Sequence, residues 1–341
     1  MNELAILGTG AVTPSGLGWP GLAPGANPTP ASLDSLRRPG RAFPVLPVSD
    51  ESLRAFAREP RLRRASRITL MMAAAARQAL NGETPGRLGL VGAFFTGPCH
   101  FSRLFFQPVI EQGPTFASPA LFPETVYNSS LSHVAHLVGV DGAAYAAVGD
   151  DSAWVTALQI ASVWLELGTA DRVLVIGAEE LDVSAIEAYA AAGWMKHGFL
   201  PSEGAAAILL GRPRSDAEVR VSALLDGIAY RSRASARLAA REAFAAMTGA
   251  PILATAAGTW MQAEEARASA GRDSIDLERP HLGHAFTATA GWNTLHGIRH
   301  LAQAAPAPDL WVPVWGLHHQ ISALRLRAVG RPQLAVTAPA G

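Results

Sequence analysis

The stretch Gly149-Asp150-Asp151-Ser152 places two carboxylates and a hydroxyl between a strand pattern, AAYAAV, and an almost wholly apolar helix pattern, SAWVTALQIASVWLEL. A strand that turns sharply into a buried helix is a place where nucleophiles are held, because the free N–H groups and dipole of the helix N-terminus stabilise negative charge. Carboxylates there either do chemistry or cap the helix, and capping is the reading the residues favour. Other reactive side chains are sparse. Cys99 stands beside His100, but loop neighbours seldom point at one another, and a nucleophile and its base come from separate elements, so the thiol reads as structural. His133 and His136 share a helix face without a further ligand at metal-binding spacing, and no metal is expected. His318 and His319 lie in a WGLHHQ turn, as catalytic groups or as polar filling, and no Ser-His-Asp signature is present.

Several elements must position that corner. Leu4 to Leu7 reads as a short strand ending in a glycine-rich turn, GTGAVTPSGLG, whose spacing does not match a dinucleotide fingerprint and whose Pro14 and Pro20 break the helix such a site needs. Residues 21–49 read as a loop. Residues 66–80 form a helix whose alanine run implies close packing, and 88–95 form a buried strand. Residues 152–167 are apolar on nearly every face, which marks a buried helix; Gly168 ends it, and 171–177 return as a strand. A strand-helix-strand unit implies a parallel sheet covered on both faces. After a boundary at GRPRSDAE, strands at 219–225, 251–256, 310–314 and 324–328 build a second sheet, with a helix at 234–247 and, within 281–303, a loop carrying a polar residue that leads into a second apolar helix.

The 28 basic and 28 acidic side chains cancel, so nothing draws the chain to nucleic acid. Nine arginines between 37 and 67 nonetheless form a local basic surface, read as a solvated face or as a docking patch for an acidic carrier protein. A single cysteine excludes an intrachain disulfide, no apolar run reaches membrane-spanning length, and the N-terminus lacks a signal-peptide pattern, so the expected setting is the cytoplasm. Phe101, Phe105, Phe106, Phe116 and Phe122 are core or interface anchors, or the lining of an acyl tunnel.

Taken in order, ILGTGAVTPSG, LFPETVYN, the corner within 142–158, VLVIGAEE, KHGFLPSEGAAAILL and LGHAFTATAG resemble the β-ketoacyl synthases of the thiolase fold, over nearly the whole chain. The resemblance implies an α/β, five-layer αβαβα architecture of two similar halves, 1–212 and 213–341, in one compact unit. It also implies a dimer through the sheet edge near Ala143 to Val148. In that family the corner reads roughly TACSS and its cysteine carries the acyl chain; ungapped counting puts Asp151 there. A carboxylate cannot replace the thiolate, since attack on a thioester would give a labile anhydride. Of the family's two histidines, the first falls on Thr255, while the second falls on His284 in RPHLGH, with Arg279 at the lysine of that motif. The family's closing GFGG turn, which supplies backbone N–H groups beside the cysteine, becomes WGLHH at 315–319.

These departures imply a catalytically degenerate subunit resembling the chain length factors of type II polyketide and aryl-polyene systems, paired with an active ketosynthase and served by an acyl carrier protein, without a cofactor. The five phenylalanines and Trp154 are its candidate tunnel residues. One alternative is a hydrolase or decarboxylase of acyl or malonyl thioesters using His284 and Asp151. Another is a homodimeric carrier-binding protein.

Overall fold

The computed structural model describes residues 2–81, 86–214, 218–256, 259–303, 309–317 and 319–329. Strands β1 (Leu4–Thr13), β2 (Leu88–Phe94), β3 (Ala144–Val148), β4 (Arg172–Glu179) and β5 (Gly204–Gly211) lie in the order β3-β2-β4-β5-β1. Strands β6 (Val219–Ala229), β7 (Ile252–Leu253), β8 (Ser274–Ile275), β9 (Leu310–Trp315) and β10 (Gln320–Ala328) lie in the order β8-β7-β9-β10-β6. Each strand of the first set has its counterpart five numbers later in the second. The senses repeat too: β2 is parallel to β3 and β4 while β5 is antiparallel to β4 and β1, and β7 and β10 behave likewise among their neighbours. One topology is used twice. The two sheets are joined edge to edge, because β1 also pairs with β6 through Leu4–Val221 and Ala5–Arg220.

The main helices are α1 (Arg67–Leu80), α2 (Cys99–Gln112), α3 (Tyr127–Val138), α4 (Ala153–Leu167), α5 (Val183–Ala191), α6 (Arg233–Ala246), α7 (Trp260–Ala268) and α8 (Thr287–Gln303). Helices α4 and α8 pack between the sheets, touching β4 and β6 or β10; α1 and α3 cover the outer face of the first sheet; α6, backed by α7, covers that of the second. This is the thiolase-like αβαβα layering. An apolar helix surface all round is what a middle layer requires. Most of the first three turns of α4 is buried, with Thr156 exposed, and Val163 and Leu167 are its exposed large apolar residues. Gly168 takes the left-handed conformation that ends the helix.

The glycines after Leu7 are not a turn. Strand β1 continues through them to Thr13, and a Cβ at Gly8 or Gly10 would stand 1.9 or 2.0 Å from the carbonyl oxygens of Ala79 or Ala75 in α1. The missing side chains and the alanine run of α1 are two sides of one contact, in which the helix backbone lies against the strand. Within 21–49, residues Ala31–Asp34 and Ala42–Val45 pair as a small separate hairpin rather than an unstructured loop.

The end of β4 anchors this scaffold with buried carboxylates. Glu179 accepts hydrogen bonds from Phe95 N, from Thr96 N at 3.0 Å and from Thr96 Oγ1 at 2.6 Å. Glu180 accepts from Ile68 N and His100 N, both at 2.9 Å, tying down the starts of α1 and α2. Burial pushes Glu179 up to about 8 and Glu180 up to about 7, against these bonds. Burial would also raise Asp182, but bonds from His100, Ser184 and Arg103 outweigh it and bring that carboxyl down to about 2. Groups raised in the folded state stabilise it fully below the ordinary glutamate value near 4.5, and that contribution fades as pH rises through 7 to 8. Each such group changes stability by at most about 1.4 kcal/mol per pH unit. The urea midpoint is therefore expected to rise from pH 8 to pH 5 and to fall below pH 3 as Asp182 protonates. Glu179→Gln should flatten the upper limb, and a midpoint that falls steadily from pH 8 to pH 5 would contradict this assignment.

Candidate functional site

At the β3–α4 corner, Ser152 is the residue that enters the helix, and neither aspartate side chain caps its first turn in the way the sequence suggested. Asp150 folds back instead. Its Oδ1 accepts from Ser152 N at 3.1 Å and its Oδ2 from His319 N at 3.0 Å. Burial and the adjacent Asp151 charge raise its pKa, partly offset by these backbone donors. Asp151 Oδ2 accepts from Leu317 N at 3.3 Å. Both aspartates thus bind the backbone of the β9–β10 turn, and so they join the two sheets.

That turn accommodates the carboxylates because residue 316 is glycine: a Cβ there would lie 2.0 Å from Asp150 Oδ2. Gly316 N donates to Gln320 O at 2.9 Å, and its carbonyl accepts from the Tyr230 hydroxyl. Below the corner, Ser322 Oγ and Ser152 Oγ are 3.0 Å apart. His318 lies outside the described residues; the ordered backbone of His319 shows that this part of the turn holds Asp150.

His284 stands at the head of α8, on the opposite side of Asp151. Its Nε2 lies 2.9 Å from Asp151 Oδ1, with side-chain exposures of 9% and 3%. The carboxylate sits off the ring N–H direction, so the contact is a close electrostatic pair without the alignment of a hydrogen bond. The backbone of this segment is fixed by His284 N donating to Leu200 O at 2.8 Å and by Ser202 N donating to His284 O at 3.1 Å. Its ring meets Phe286 edge-on with centroids 5.2 Å apart, and Phe199 at 5.4 Å.

Asp151, Thr255, Arg279 and His284 all line one cavity of about 360 Å³, with Trp315 closing one side. Thr255 is held for structural ends: its Oγ1 donates to Glu265 Oε1 at 3.0 Å or to Pro313 O at 2.9 Å, and its N–H donates to the same carboxylate. Glu265 also accepts from Ala256 N and Trp315 Nε1, both at 2.9 Å, and burial raises its pKa. Arg279 donates to Asn293 Oδ1 at 2.7 Å and to Ala254 O. Burial lowers its pKa, which the Glu265 and Asp276 charges offset in part.

The aromatic candidates lie elsewhere. Trp154 is fully buried in the α4–α8 layer, with Nε1 donating to Thr294 Oγ1 at 3.0 Å, so in this chain it packs as a core residue. Phe106, Phe116 and Phe122 are exposed on α2 and the segment after it, Phe101 and Phe105 are half-buried, and α2 buries none of its residues fully. Phe105 packs against Phe106 and Phe122, with centroids 5.0 and 5.6 Å apart.

Cys99 and His100 do not pair. The thiol lies 3.8 Å from the Glu180 carbonyl and is pushed well above its usual range, first by burial and then by the surrounding carboxylates. His100 Nδ1 meets Asp182 Oδ2 at 3.1 Å. His133 Nε2 meets Glu124 Oε1 at 3.0 Å across the turn before α3, a partner that helical spacing alone does not show. Among the described residues no group of three or more His, Cys, Asp or Glu is placed to hold a metal, and no helix is long and apolar enough to cross a membrane.

No protein-family model matches the chain, and a comparison with curated proteins gives no match. Solved structures do resemble it. The ishigamide ketosynthase/chain length factor superposes with a TM-score of 0.80 at 18% identity, covering 96% of this chain and 100% of that one. A β-ketoacyl synthase from Burkholderia phymatum STM815 gives 0.74 at 15% identity, covering 97% and 100%. AntDE:AntF, a type II PKS acyl-carrier protein in complex with its ketosynthase, gives 0.72 at 17% identity, covering 96% and 99%. Identities this low establish architecture, and the architecture is the one shared by ketosynthases and chain length factors.

Proposed function

We propose that this chain is a non-condensing, ketosynthase-like subunit of the chain-length-factor kind, which pairs with an active ketosynthase and shapes its acyl tunnel. The observation that carries the reading is the corner itself. Asp151 stands where a nucleophile would be presented, and its carboxylate already engages the Leu317 N–H and the His284 ring. The Leu317 N–H, a donor that could stabilise a developing oxyanion, is therefore occupied by a resident anion. The exposed aromatic residues of α2 and the open edge of β3 supply the surface for a partner subunit. Arg58, Arg61, Arg63 and Arg64 are exposed, with no ion-pair partner among the described residues, and suit an acidic carrier protein.

Purified alone and given malonyl- and acyl-carrier-protein thioesters, the protein is expected to form no condensation product. Asp151→Cys is expected to form none either, because Thr255 offers a hydroxyl bound to Glu265 where the chemistry needs an imidazole. Condensation by that single mutant without a partner would falsify the proposal.

The 2.9 Å approach of His284 to Asp151 favours a second reading, a thioester hydrolase or decarboxylase using this pair. Turnover of malonyl thioester by the isolated chain, abolished by His284→Ala, would establish it in place of the first. A homodimeric carrier-binding protein would instead show no one-to-one complex on co-expression with a ketosynthase.

A further inference from the structure

Two left-handed residues bracket His284. Gly283 has φ +71° and Phe286 has φ +43°, and apart from Asn81 at the end of α1 no other non-glycine among the described residues has a positive φ. Glycine enters that region freely, whereas any side chain there brings Cβ against a carbonyl oxygen and disfavours the conformation about five- to thirtyfold. A bulky residue with such a φ persists only where its surroundings over-determine it. Here both flanking residues are pinned. Ala285 N donates to Thr289 Oγ1 at 2.7 Å, and Thr287 Oγ1 donates to Ala93 O of β2 at 2.8 Å. The Phe286 ring is 3% exposed and stacks on Phe95 with centroids 4.2 Å apart. Tyr189, Phe199 and Trp194 complete a cage around it at 5.5, 5.7 and 6.1 Å. Burial of the ring among these aromatic groups offsets the cost of its backbone.

The turn itself gives direction to the chain. With a helical φ at 286, α8 would continue back toward His284; a left-handed residue ends that continuation and sets where the imidazole stands, with Nε2 2.9 Å from Asp151 Oδ1. The rings of Phe286 and His284 also touch, nearly perpendicular at 88°. We infer that Phe286 is a positioning residue, whose caged ring holds the left-handed turn that keeps His284 on Asp151. The inference deepens the reading of Asp151 as an engaged carboxylate, and it is independent of pairing with a ketosynthase.

Carbethoxylation of His284 by diethyl pyrocarbonate in the isolated chain, resolved by peptide mass spectrometry, reads this directly. The exposed His136 is the internal reference. Phe286→Ala loses the ring and keeps the backbone strain, and it should speed His284 labelling about tenfold or more over the wild type. Phe286→Gly loses the same ring but adopts a positive φ without strain, and should label about fivefold more slowly than the alanine variant. A side chain that only filled the core predicts the reverse order, because glycine leaves the larger void and the looser chain. Phe95→Leu, which removes the stacked ring and leaves the turn untouched, should speed labelling about threefold or more, and it carries the test if Phe286→Ala loses the wild-type circular dichroism spectrum. Labelling in Phe286→Gly as fast as in Phe286→Ala, or a wild-type rate in Phe286→Ala or Phe95→Leu, would each overturn the inference.

Discussion

Trp154→Ala is expected to cost about 3–5 kcal/mol of folding stability, the range for a large buried aromatic side chain removed from a packed core. The indole is fully buried and lies over two glycines. An added Cβ at Gly177 of β4 would come 3.1 Å from its Cε3, and one at Gly291 of α8 would come 3.5 Å from its Cη2. A sheet and a helix have both been cut back to make room for it, so its loss leaves a cavity that neither can close. The mutation also removes the Nε1 donor of Thr294 Oγ1. Urea unfolding followed by circular dichroism measures the effect. A residue that merely lined an acyl tunnel would leave the midpoint nearly unchanged and alter only the length of the chain accepted.

That contrast shows where the sequence is informative and where it is not. The apolar surface of α4 is legible because burial on every face needs apolar residues on every face. Whether one of those residues faces a void or a neighbour depends on an element 140 positions away in the chain, and no local pattern carries that information. The glycines of β1 make the same point in reverse. GTG has the composition of a turn, yet its φ and ψ are extended, and the reason for the missing side chains is the alanine face of α1, some seventy residues downstream.

The site divides along the same line. The corner at Asp150 and Asp151 is visible from the strand and helix patterns that flank it. Its dependence on the β9–β10 turn is not, since backbone N–H groups such as those of Leu317 and His319 leave no trace in residue type. The motif order brought Thr255, Arg279 and His284 into consideration. Asn293 and His296, which share their cavity, carry no motif, and only the helical period of α8 links them to Thr289.

Val148→Lys, alone or with Tyr145→Asp, is expected to leave the folded chain intact while weakening the proposed complex with a ketosynthase subunit by more than about 2 kcal/mol, roughly thirtyfold in Kd. Strand β3 ends the sheet: it pairs with β2 on one side, and its other side has no strand partner among the described residues. Isolated edges are normally blunted by charge, proline or a covering element, because an open edge invites another strand. Residues 144–148 carry no charge and no proline, and Tyr145 and Val148 are 53% and 54% exposed. Helix α3 packs on β3, and the Phe122–Thr125 turn links α3 to α2, so this edge continues into the exposed surface that includes Phe106, Ile110, Phe116 and Phe122. An apolar edge flanked by aromatic side chains is suited to a partner that supplies both a strand and apolar cover. A lysine at 148 would carry an unpaired charge into that contact, while in the free subunit its ammonium simply meets water. Sedimentation of the co-expressed pair distinguishes the outcomes. Loss of the one-to-one species with an unchanged melting curve supports pairing through β3, and an intact complex would place the interface elsewhere.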